Sequence, residues 1–122
     1  MRMTVRRLKT YTAETGYVYQ YYFVGKRAAL EDEPTAPSTE FVFDVTSDRK
    51  ETFAVSVFLQ EEAVNSWQTQ HERTLVDAEL YASAKMRLFR AFDEIEDLKQ
   101  QGRRLVVRAG ELEELLGKLD AD

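Results

Sequence analysis

His71 is the only histidine in the chain, and there is no cysteine. The residue types that most often carry metal and nucleophilic chemistry are therefore nearly missing. A two-histidine site cannot form within one chain, and thiol nucleophiles, disulfides, zinc fingers and iron–sulfur clusters are all excluded. His71 stands one turn after Trp67 and two turns after Val64, which fits an ordinary helix-end residue better than an acid–base catalyst. Asp93, Glu94, Glu96 and Asp97 form the densest set of carboxylates on a predicted helix. Asp93 and Asp97 are one turn apart, a spacing that suits a hard cation. A solvated acidic face, balanced by Lys99 and nearby arginines, is the simpler reading. No phosphate-cradling glycine loop, dinucleotide fingerprint, metalloprotease helix or nucleophile elbow occurs. No metal or cofactor is expected.

The segment from Tyr17 to Val24 concentrates tyrosine and phenylalanine in a pattern of period two. On a strand, Tyr17, Tyr19, Tyr21 and Phe23 make one aromatic face, and Val18, Gln20, Tyr22 and Val24 make a mixed one. Aromatics on a sheet beside cations can stack bases while the cations hold phosphates. Arg6, Arg7, Lys9, Lys26 and Arg27 are the basic residues placed to do so. The common RNA-binding sheet pattern is absent, and the chain beyond residue 30 carries a net charge of −10 that repels phosphate. The aromatic face also continues into Phe41, Phe43 and Phe53, where cations are few, so it reads as a core face.

The elements that must position these residues follow from the pattern. Val5–Thr12 and Tyr17–Arg27 predict a hairpin, with Gly16 supplying the left-handed position of its loop. Residues 28–39 hold both prolines and an acidic run, which predicts a mobile surface loop. Glu40–Thr46 and Thr52–Leu59 alternate cleanly and predict a second hairpin around the polar turn 47–50. A helix is expected over Gln60–Glu72. A longer one, opened by Thr74–Asp77 as a variant capping box, is expected to run to Gln101 and stop at Gly102. Its seam of Tyr81, Ala84, Leu88, Ala91, Ile95 and Leu98 is widened by Ala82, Met86, Phe89 and Phe92, which predicts two packing partners. Arg104–Arg108 reads as a short strand and Glu111–Leu119 as a last helix. The fold class is therefore α+β: a single domain over residues 1–122, with a four-stranded antiparallel sheet covered on one face by two or three helices. A short fifth strand and a C-terminal helix complete it.

At 122 residues the chain is long enough to bury a core without cross-links. No run approaches a membrane span, and the basic residues Arg2, Arg6, Arg7 and Lys9 precede no apolar stretch of secretory-signal type, so a cytoplasmic protein is expected. The net charge of −5 combines +5 over residues 1–30 with an acidic remainder, an asymmetry that can steer a second copy. The element order loosely resembles that of small bacterial domains, and no motif assigns a family. The functional expectation rests on the mixed sheet face, where Gln20, Tyr22, Asp44, Ser56 and Phe58 point away from the helices. The leading reading is a self-associating interaction module, a dimer or a complex with a protein partner, through this face or the wide helix seam. A small-molecule groove or enzyme site drawing on Tyr22, Asp44, Ser56 and His71 is the alternative. Nucleic-acid binding through the basic N-terminal segment is the third.

Overall fold

The computed structural model describes residues 8–29 and 37–120. Strands β1 (Lys9–Thr12), β2 (Val18–Ala28), β3 (Ser38–Thr46) and β4 (Phe53–Gln60) are followed by helices α1 (Glu61–His71), α2 (Asp77–Glu94) and α3 (Leu98–Gln101). Strand β5 (Arg104–Val107) and helix α4 (Ala109–Asp120) close the order. The five strands lie in sequence order in one sheet, with β1 to β4 antiparallel and β5 parallel to β4. The expected α+β class and helix-covered antiparallel sheet are what the chain adopts. Of the expected first strand, residues 5–7 lie outside the described residues, as do residues 30–36 of the expected loop.

Local chemistry explains the turns. Between β1 and β2, Ala13 N–H donates to Tyr17 O at 2.8 Å and Gly16 N–H to Ala13 O at 2.9 Å. Gly16 sits at φ 98°, a value that a side chain disfavours. Between β3 and β4, one Asp48 oxygen accepts from the Lys50 and Glu51 amides at 2.8 and 2.9 Å. The Glu51 and Lys50 amides hold that carboxyl below the usual range.

The aromatic face is the core. Tyr19, Tyr21, Phe41, Phe43, Val45, Phe53, Val55, Val57 and Leu59 are all buried, against Ala84, Leu88, Ala91 and Phe92 of α2. Phe92 stacks on Tyr19 with ring centroids 4.3 Å apart, and Phe89 stacks on Tyr11 at 4.4 Å. The unusual width of the α2 seam has a simple cause: α2 packs on β4 and β5 and also touches α4. Helix α4 brings Leu112, Leu115 and Leu116 into the same core, and α1 brings Ala63 and Trp67.

The long helix differs from expectation at both ends. It starts after Val76, whose amide donates to the Glu79 carboxylate at 3.1 Å. Valine offers no acceptor in return, so only one half of a reciprocal capping box is built. It ends at Glu94 rather than Gln101. Acidic side chains at a helix C-terminus oppose the dipole. Asp93 is drawn instead to Tyr11, whose hydroxyl donates to it at 2.7 Å, and to the Glu14 amide at 3.0 Å. Asp97 then caps α3 by accepting from the Gln100 amide.

Candidate functional site

Register decides what shares the outer face of the sheet, the face away from the helices. Up to Phe23, β2 follows simple alternation, and Tyr22 stands opposite Asp44. A β-bulge then makes Val24 an extra residue, so that Gly25 pairs with Val42, Lys26 with Phe41 and Arg27 with Glu40. The bulge exchanges the two faces for everything after it. Arg27 joins the outer face, and Lys26 turns to the helix side, 3.4 Å from Asp77 and 6.0 Å from the centre of the Phe41 ring.

Four strands converge on the outer face. Glu40 lies on β3, flanked across the sheet by Arg27 on β2 and Phe58 on β4. One residue pair along, Val42 stands opposite Ser56, which in turn pairs with Arg104 on β5. Glu40 is 7% exposed, an unusual position for a carboxylate. Arg27 Nε donates to its Oε1 at 2.8 Å and Ser56 Oγ to its Oε2 at 2.6 Å. The Arg27 bond, helped by Ser56 and by the charge of Arg104, holds this carboxyl below its ordinary value even though burial opposes the shift. The Arg104 guanidinium lies 5.3 Å from the centre of the Phe58 ring. Toward the other end, the Tyr22 hydroxyl donates to Asp44 at 2.7 Å.

This arrangement holds charge in place more than it moves protons. A carboxylate whose pKa is lowered by an arginine partner is a weak general base. A depression lined by Val24, Gly25, Lys26, Arg27 and Val42 has a volume of about 270 Å³. That is at the small end for a ligand pocket. Among the described residues, no three metal-ligating side chains come together.

The expected residues are placed as follows. Tyr22 and Asp44 are bonded to each other, and Ser56 belongs to the Glu40 cluster. Gln20 lies opposite Thr46, farther along the same face. Phe58 shares the face but is only 3% exposed. His71 is elsewhere, at the end of α1, stacked on Trp67 and 2.8 Å from Glu113 of α4. Lys9 lies opposite Tyr21 on the helix side, where its charge combines with burial to lower the Lys85 pKa. Arg6 and Arg7 lie outside the described residues. Sequence reasoning did not single out Glu40 and Arg104. The signal was present: an acidic residue, a serine and an arginine at positions of the same parity on three strands.

No described helix is long and apolar enough to cross a membrane. No protein-family model, curated protein or solved structure matches the chain.

Proposed function

We propose that this is a cytoplasmic interaction protein that self-associates as a dimer through the outer face of its sheet. The observation that carries this reading is that α1, α2 and α4 pack their buried residues into one core on the same side of the sheet. Among the described residues no helix covers the other side. That side presents Val42, Ala54 and Val106, all half-buried, with Val18 44% exposed at one end. Its charges balance, with Arg27 and Arg104 near one end and Glu40 and Asp44 alongside. A balanced face of this kind is self-complementary under a two-fold axis, where the arginines of one copy meet the Asp44 end of the other.

Light scattering coupled to size exclusion tests the proposal. The parent should elute at twice the 14.2 kDa chain mass, and Val42→Lys with Ala54→Lys should return it to the single-chain mass with unchanged far-UV dichroism. A parent that stays monomeric at high concentration, or a double variant that stays dimeric, overturns it. Phe58 is the wrong position for this test. Its burial means that a charge there perturbs the fold as well as any contact.

A further inference from the structure

Arg27 and Asp44 each leave part of their hydrogen-bonding capacity unused on the outer face. Arg27 is exposed, and Glu40 holds its guanidinium by Nε and Nη2, at 2.8 and 3.4 Å. Its Nη1 meets no acceptor among the described residues. Half-buried Asp44 takes the Tyr22 hydroxyl on Oδ2 at 2.7 Å, and its Oδ1 accepts from none of the described residues. The two groups do not serve each other. Arg27 stands beside Glu40, and Asp44 lies four residues farther along β3. At a rise of about 3.3 Å per residue and a strand spacing of about 4.8 Å, they are about 14 Å apart. That exceeds the reach of attraction between exposed charges at physiological salt. A guanidinium already oriented by a buried carboxylate loses little freedom when a second anion meets it.

Geometry limits how a second copy can supply that anion. A two-fold axis lying between two facing sheets exchanges Arg27 and Asp44 only if it bisects the line joining them. The midpoint of that line falls beside Val42, a half-buried residue midway between Glu40 and Asp44 on β3. The line covers about 13 Å along the strand and about 4.8 Å across, so it departs from the strand direction by about 20°. The rotation doubles this angle, and strands of the two copies cross at about 40°. Sheets that pack face to face in the aligned manner cross at about 30°, so twisted sheets can make this contact. The same operation lays Glu40 over Ala54 and Ser56 of the second copy, and no carboxylate of the face meets another.

We propose that two copies join with Val42 on the two-fold axis and Arg27 of each paired to Asp44 of the other. This rests on the reading that the outer face is a dimer interface, and adds the contact that sets its register.

The tests use the full chain. Sedimentation of the parent comes first: a parent that is monomeric at high concentration overturns the dimer and this pairing together. With a dimeric parent, Arg27→Gln, Asp44→Asn and the double variant form a cycle in the dimer dissociation constant. Each single change should raise the constant about tenfold or more, since two contacts per dimer are lost, and the double should raise it little further. Additive effects, or no effect in either single variant, overturn the pairing and leave the face contact standing. The chain has no cysteine, so Val42→Cys and Ala54→Cys each introduce a single thiol with a small change in volume. A short bis-maleimide should join Val42→Cys chains in pairs and leave Ala54→Cys chains single. Ala54, opposite Asp44 on β4, lies about 17 Å from its mate across the axis. Cross-linking of Ala54→Cys but not of Val42→Cys overturns the register, whatever the charge variants do to the fold.

Discussion

Replacing Glu40 by Gln separates the role of its charge from that of its shape. The amide keeps the volume and can still accept from Arg27 or Ser56, so what is lost is the charge on two short contacts, 2.8 and 2.6 Å long. A hydrogen bond to an ionised group contributes about 1 kcal/mol more than one between neutral groups, so two of them amount to about 2 kcal/mol. Part of this is offset, because the amide avoids the desolvation that the carboxylate suffers at 7% exposure. The expected net loss is about 1–1.5 kcal/mol at neutral pH. For a chain of 122 residues this corresponds to a fall in Tm of about 4–6 °C. The pH dependence carries the sharper test. The folded-state pKa of Glu40 lies below its ordinary value of 4.5, so its contribution is complete above that value and is lost as pH falls through the folded pKa. Urea unfolding of parent and Glu40→Gln, measured from pH 7 down to the acid limit of the fold, should give curves that converge as pH falls. A gap that stays constant across the range, or no gap at neutral pH, refutes the reasoning.

Two further substitutions test the core and the backbone. Phe92→Ala removes a fully buried ring stacked on Tyr19 and close to Tyr11 and Tyr21, and should cost about 3–5 kcal/mol in a denaturant titration. A loss below about 1 kcal/mol would mean that the aromatic face is not the centre of the core. Glycine positions with left-handed backbone predict opposite signs: Gly16→Ala should destabilise by about 1 kcal/mol at φ 98°, although no atom stands in the way. Glu72, at φ 48° beyond α1, should gain about 0.5–1 kcal/mol on change to Gly, and thermal unfolding reads both.

The sheet was legible because a face buried on one side repeats every two residues, and Phe41–Val45 and Phe53–Leu59 do so without interruption. The α2 seam was equally clear, since burial at three- and four-residue spacing leaves few other readings. Three features escaped for identifiable reasons. The bulge at Val24 is marked in the sequence only by Gly25, an isolated glycine within a strand, yet it reverses the parity of Lys26 and Arg27 and so composes the Glu40 cluster. The end of α2 was hidden because Ile95 and Leu98 continue the helical spacing while the chain has left the helix; the hydrogen bonds from Tyr11 and the Glu14 amide to Asp93 are between residues far apart in sequence. Ser83, fully buried, breaks the apolar rule because its hydroxyl returns to the Leu80 carbonyl at 2.8 Å.

The strand order also says how the molecule comes together. Each of β1 to β4 pairs with its neighbour in the chain, so this meander forms through short closures. Strand β5 meets β4 only after residues 61–103 have been brought back across the core, and a closure of that length carries the largest entropy cost in the sheet. The parallel ladder and the α4 leucines that follow it should therefore assemble last and open first. In native-state hydrogen exchange, β5 and α4 should exchange together, at a lower free energy than the central strands β3 and β4.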